Sequence, residues 1–151
     1  MEKEAVLQLR LDVQKFVRLF GLQDKHVTPC GFPLSVSQVM ALQELEHHRL
    51  TLNELTEKLL LERSSVSRLA DQLVKEGFIH RETNEENRRE VLLSLTQKGI
   101  HALTKVREQS VSYYTSILNH MDGLDQQKVI EGFQLMNAAL LKERSETSGK
   151  S

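Results

Sequence analysis

Arg63, Ser64, Ser65, Ser67, Arg68, Gln72 and Lys75 fall within one stretch of thirteen positions, and Arg88 and Arg89 follow a short way on. These side chains are cations, hydroxyls and an amide. Arginine can bond guanine and Gln or Ser can match several base edges, while adjacent arginines can meet phosphates or a narrow minor groove. On a wheel of about 100° per residue with Val66 at zero, Leu69, Ala70 and Leu73 lie within about 60° of it. Ser64, Arg68, Asp71 and Lys75 fall opposite, with Ser65 and Gln72 beside them. Alone, such a face is that of any solvated amphipathic helix. What flanks it decides between the two.

Other chemistry has less support. There is no G-x-S-x-G, no metalloprotease helix motif and no phosphate-binding glycine loop, so the sequence predicts no enzyme. Cys30 is the one cysteine, a candidate redox thiol in a loop. Lys25 and His26 are the nearest cations available to lower its pKa, and no second cysteine exists to resolve a sulfenic acid. Glu44 and His48 are spaced i, i+4 on an expected helix, and His47, Cys30 and His101 are the further donors that could approach them. Adjacent His47 and His48 point about 100° apart, however, and no compact ligand motif is present. No metal and no cofactor are expected.

The elements that must position the polar face can be read from caps and periodicity. A first helix is expected from about Lys3 to Leu22, with Val6, Leu9, Val13, Phe16, Val17 and Phe20 at helical spacing. Gly21 and the stretch 28–33 make a loop. Ser35-Val-Ser-Gln38 has the form of a capping box and opens a helix to about His48, with Val36, Val39, Met40, Leu42 and Leu45 inward. Thr51-Leu-Asn-Glu54 is a second capping box, opening a short helix that ends near Leu60. The helix from Arg63 to about Glu76 is capped by Glu62 or, if shortened, by Ser64, and it stops at Gly77. Strands Phe78–Glu82 and Glu90–Leu95 flank a polar turn holding Arg88 and Arg89. Thr96 caps a helix to about Met121, some 26 residues or roughly 39 Å. Asp125 caps the last helix, to about Leu141, with Val129, Phe133, Met136 and Leu140 on one stripe. Lys142–Ser151 has no apolar anchor and is expected to fray.

At 151 residues the chain suits one domain or a small domain plus an oligomerisation element. Its 39% hydrophobic and 27% charged residues, with only 5% aromatics, favour helix packing in a soluble protein. No apolar run approaches the roughly 20 residues of a membrane span and the N-terminus begins charged, so a cytoplasmic location without membrane contact is expected. The net charge of −1 is unusual for a nucleic-acid binder. Even Glu62–Glu90 holds six basic residues against seven acidic ones. Binding must rest on where the charges point.

Over Ser37–Leu45, Leu52–Leu60, Arg63–Gly77 and above all Asn87-Arg-Arg-Glu-Val-Leu-Leu-Ser-Leu-Thr-Gln-Lys-Gly99, the chain resembles the MarR-type transcription regulators. The similarity runs from about residue 5 to 141. The last segment is similar to the family's wing signature D-x-R, a hydrophobic strand and L-T-x-x-G. The resemblance implies an obligate homodimer with intertwined terminal helices and two reading heads on a near-palindromic site in double-stranded DNA. Arg89 falls on the wing arginine. Asn87 stands where the family typically has Asp, which could ion-pair with that arginine; Asn can only hydrogen-bond.

The expected fold is therefore mainly α with a small β-wing: a winged helix-turn-helix plus a helical dimerisation region, in the order four helices, two strands, two helices. Residues 1–34 form an N-terminal dimerisation helix and loop, 35–99 the DNA-binding core, 100–141 the C-terminal dimerisation helices and 142–151 a disordered tail. The expected function is a sequence-specific homodimeric regulator, a repressor more than an activator, released by a small ligand or a stress signal. An organic ligand ranks before oxidation of Cys30 and before zinc, and its lining would draw on Phe16, Phe20, Phe32, Met40 and His101. The alternative is a winged-helix protein–protein adaptor without DNA binding, which the near-neutral charge motivates.

Overall fold

Both predicted capping boxes form. In the computed structural model, which describes residues 1–21, 27–28 and 31–150, the Ser35 hydroxyl accepts from Gln38 N (3.1 Å) and the Gln38 side chain accepts from Ser35 N (2.8 Å). Thr51 and Glu54 repeat the exchange at 3.1 Å each way. Each box satisfies two backbone donors that a helix start leaves orphaned, and so sets where the helix begins. They open α2 (Val36–Glu44) and α3 (Leu52–Leu59), which follow α1 (Lys3–Phe20). Then come α4 (Arg63–Lys75), strands β2 (Ile79–Thr83) and β3 (Val91–Leu95), and helices α5 (Gln97–Leu118) and α6 (Gly123–Ser148).

A further strand, β1 (Leu50–Thr51), is absent from the expected order of elements. It pairs antiparallel with β3, Leu50 opposite Leu93 and Thr51 opposite Leu92, on the far side of β3 from β2. β2 pairs with β3 from Ile79–Leu95 to Thr83–Val91. Two residues are too few to show alternation, so β1 leaves no periodic trace in the sequence.

The chain forms two compact units, Met1–Ser110 and Val111–Ser151. The core of the first gathers Leu42, Leu55, Val66, Leu73 and Leu93, all fully buried, so α2, α3, α4 and β3 each contribute to it. Ala102, Leu103 and Val106 of α5 join that cluster. Among the described residues no buried side-chain polar atom lacks a hydrogen-bond partner. No helix among them is long and apolar enough to cross a membrane.

Several boundaries differ from expectation. α1 ends at Phe20, with Gly21 left-handed (φ 79°); Leu22 lies outside the described residues. α2 stops at Glu44 rather than His48, because Glu46 N turns back to Gln43 O (3.3 Å) and the chain must reach β1. Met40 is exposed and Ala41 is buried in its stead. β2 starts at Ile79, because Phe78 N closes α4 on Leu73 O (2.9 Å). α5 stops at Leu118 through tight bonds from His120 and Met121 to Ile117 and Leu118. Asp122, not Asp125, caps α6, its carboxylate accepting from Asp125 N (2.9 Å). α6 runs on to Ser148, so residues 142–148, expected to fray, are helical; Ser145 and Thr147 return hydroxyl bonds to Leu141 O and Glu143 O.

Candidate nucleic-acid interface

Helix α4 is held by burying one face. Val66, Ala70 and Leu73 are inaccessible and Leu69 packs on the core. At 100° steps this turns Ser64, Arg68, Asp71, Gln72 and Lys75 to the outside, while Arg63, only about 60° from Val66, is exposed because it opens the helix. All six are exposed, with Ser65 and Ser67 half-buried at the flanks. Glu62 is the N-cap without giving a side-chain bond, so the first N–H groups of α4 are not claimed by its cap. The connection from α3 passes through Leu60, left-handed at φ 56° without being glycine.

The wing turn is tied at several points. Asn84 N donates to Glu90 O (3.1 Å), Asn87 N to Asn84 O (3.1 Å) and Glu90 N to Asn87 O (3.0 Å). Both asparagine side chains also act as acceptors, Asn84 from Glu86 N (3.1 Å) and Asn87 from Arg89 N (3.2 Å). These are Asx turns, which need an acceptor oxygen and no charge. Asn87 therefore shapes the wing without an ion pair to Arg89.

Ion pairing sorts the charges. Asp71 pairs with Arg81, Glu82 with Arg49 and Glu46 with Arg107, while Glu76 accepts from Gln72 and Glu90 from Asn84. Among the described residues, Arg63, Arg68, Lys75, Arg88 and Arg89 make no ion pair. Two clefts beside the hairpin differ in charge. Arg63 and Arg89 line one narrow cleft with Asn53 of α3, although they are 26 positions apart in the chain. A second cleft is lined by Glu54, Glu82, Glu85 and Glu86, with Arg49. Glu90 reaches both clefts. A near-neutral core thus presents unpaired cations along α4 and at the wing, with Asp71 on the same helix neutralised by Arg81.

Sequence reasoning misses Arg81 and Asn53. Arg81 counts there only as one of the basic residues of the core, yet it neutralises Asp71, which would otherwise repel a phosphate at the outer face of α4. Asn53 sits inside a capping box, where its neighbours draw attention to the cap.

The expected ligand-lining residues lie in different settings. Phe16 and Phe20 stack with centroids 5.1 Å apart, Phe32 packs against the core, and Met40 and His101 are exposed. Cys30 lies outside the described residues. Glu44 and His48 do not share a helix, since α2 ends at Glu44. No cluster of three His, Cys, Asp or Glu able to hold a metal occurs among the described residues.

Residues 34–91 match the model of the MarR family. The chain is 29% identical over 119 residues to the HTH-type transcriptional regulator PrsX of Escherichia coli, covering 78% of this chain and 69% of that protein. Its fold is similar to AbsC, a MarR family transcriptional regulator from Streptomyces coelicolor, at TM-score 0.71 and 17% identity over 94% of this chain and 97% of that one. It is also similar to the PcaV transcriptional regulator from Streptomyces coelicolor, solved with its natural ligand, at TM-score 0.66 and 17% identity over 87% and 91% of the two chains.

Proposed function

We propose, from a chain that belongs to the MarR family through its winged core, that the protein is a DNA-binding transcriptional regulator, acting as a homodimeric repressor that a small ligand releases. The observation that carries this is the state of the charges: the cations of α4 and the wing make no ion pair, while Asp71, the acid on the outer face of α4, is neutralised by Arg81 and Glu82 is paired with Arg49. α4 enters the major groove with Arg68, Gln72, Ser64, Ser65 and Ser67 toward base edges. Arg63, Lys75, Arg88 and Arg89 meet phosphates or the minor groove.

Dimerisation through residues 1–34 and 100–141 is supported by apolar side chains that stay exposed. On α1 these include Val6, Leu9 and Val13; on α6 they include Phe133, Met136 and Leu140. A second chain would cover them, and two reading heads would then meet a near-palindromic operator. Release by an organic ligand is supported by PcaV, solved with its natural ligand, and by BpsR of Bordetella bronchiseptica, whose DNA binding is regulated by 6-hydroxynicotinic acid. The residues proposed to line the site are Phe16, Phe20, Phe32, Met40 and His101. The protein has no catalytic role in this reading and works in the cytoplasm, where its DNA is.

The experiment is selection of bound sequences from a random DNA pool, followed by affinity measurements at several salt concentrations. Arg89→Ala should weaken binding to all sequences and lower the salt slope by about one unit. Arg68→Ala should relax preference at one base pair per half-site, at a cost of roughly 1–3 kcal/mol for a bidentate contact. Equal losses on selected and random DNA for both variants would refute the division of roles. No enrichment at all would favour the adaptor.

A further inference from the structure

The first turn of α5 is built around the end of α4. Thr96 donates its backbone N–H to Phe78 O (3.1 Å) and its hydroxyl to Gly77 O (2.6 Å). Lys98 donates Nζ to Glu76 O (2.6 Å) and lies 4.6 Å from the centroid of the Phe78 ring. Three successive carbonyls at the point where the reading helix closes each receive a donor from one turn of another helix. Gly99 makes the approach feasible, since a Cβ there would stand 2.2 Å from Phe78 O. α4 closes itself separately, through Gly77 N to Val74 O and Phe78 N to Leu73 O. The α5 bonds are therefore additional to that closure.

Lys98 is placed against the interest of its own helix. It is the second residue of α5, where the helix dipole is positive and disfavours a cation. At the C-terminal end of α4 the same charge is favoured, and the exposed carbonyl and the aromatic face both attract it. A residue that breaks a local rule in one element and satisfies it in the neighbour marks a junction with a specific role. α5 runs unbroken from Gln97 to Leu118, so the end that grips α4 and the far end belong to one helix.

We propose that Thr96 and Lys98 are positioning residues that fix the angle of the reading helix to α5, and through it the spacing of the two reading helices in the dimer. This rests on the regulator reading above and deepens it. Neither residue belongs to the set proposed to touch DNA. Loosening the junction should therefore alter which half-site spacings are tolerated, not which bases are preferred.

The test uses the full chain and an operator taken from the selected pool, with its half-sites also moved apart by one and by two base pairs. Wild-type affinity should fall steeply with the shift, because dimer and operator symmetry must match. Lys98→Met keeps the stem over Phe78 and removes the ammonium; the ratio of affinities for correct and shifted operators should shrink at least about fivefold. Base preference within a half-site should stay unchanged. Lys98→Gln removes the charge in a second way and should broaden the profile equally, whereas Lys98→Arg and Thr96→Ser should keep the wild-type profile. An unchanged profile in both charge-removing variants overturns the inference, as does a uniform loss at every spacing, which a merely structural role would give. Wild-type protein that binds no selected DNA refutes the regulator reading first, and the inference with it.

Discussion

Gly99→Ala tests the close approach of α5 to the winged core. The added Cβ would stand 2.2 Å from Phe78 O, 3.2 Å from Phe78 C and 3.3 Å from a Leu95 methyl. The nearest atom is a backbone carbonyl that already receives Thr96 N, so no flexible side chain can swing aside. An ordinary carbon–oxygen contact is about 3.3 Å, which asks for a displacement of about 1 Å. Such a shift strains both Thr96 bonds, the one to Phe78 O and the one to Gly77 O. Overpacking of this kind costs about 1–3 kcal/mol, and each weakened hydrogen bond up to about 0.5–1.5 kcal/mol more. The alanine recovers roughly 0.5–1 kcal/mol of helix propensity. The net expectation is a loss of about 2–4 kcal/mol, a large part of a typical total of about 5–15 kcal/mol. Urea unfolding followed by circular dichroism, at one fixed protein concentration, reads it directly. Gly123→Ala is the control, because nothing lies within 4 Å of a Cβ built there. A Gly99→Ala loss below about 0.5 kcal/mol, the scale of surface substitutions, would refute the reasoning.

Three other outcomes follow from particular residues. Leu60→Gly should stabilise the protein by about 0.5–1 kcal/mol, because Leu60 holds a left-handed conformation that glycine adopts without strain; a lower urea midpoint would contradict this. The hydrogen-bonded Arg107 guanidinium holds the Glu46 carboxyl below its usual 4.5, against a smaller opposing effect of desolvation. A depressed carboxyl stabilises the fold above its unfolded pKa and stops doing so as pH falls through the folded one. The melting temperature of wild type should thus exceed that of Glu46→Gln at neutral pH, with the gap closing only below 4.5; a gap independent of pH would exclude the ion pair as its source. Deleting residues after Asp122 should give insoluble or unfolded protein, since the proposed dimer would lose α6 and leave Val6, Leu9 and Val13 of α1 without cover from a second chain; a well-folded monomer by sedimentation would count against the dimer.

What can be read from the sequence is local. Ser35, Thr51 and Gly77 act within three or four residues of themselves, as does Thr96 where it accepts from Gly99 N (3.0 Å), and each does there what its type and spacing predict. The bonds from Thr96 to Gly77 and Phe78 leave no such local trace. The buried stripe of α4 is legible because a helix repeats its signal over several turns. β1 is not, being two residues long and defined only by Leu93 and Leu92, more than forty positions away. Helix ends depart from expectation where a tertiary demand decides them, as at Glu44, where the chain must turn to enter the sheet. The open face of α4 can be assigned from a wheel. The neutralisation of Asp71 by Arg81 cannot, because the strand that carries Arg81 has no fixed phase relative to the helix until both are packed. Asn87 looks deficient by the charge it lacks, whereas the turn uses its oxygen.

The sorting of charge also bears on how such a protein would find its target. In the proposed reading, random DNA would be held mainly by the open cations, and a cation engaged by an internal partner would add less to the dwell time at a wrong site. Arg49, Arg81 and Arg107, occupied by Glu82, Asp71 and Glu46, would contribute less there. Search would then proceed by brief collisions and frequent dissociation rather than by long one-dimensional sliding. Little of the protein would be held on the rest of the genome, so even a small number of copies would remain free to reoccupy a vacated operator.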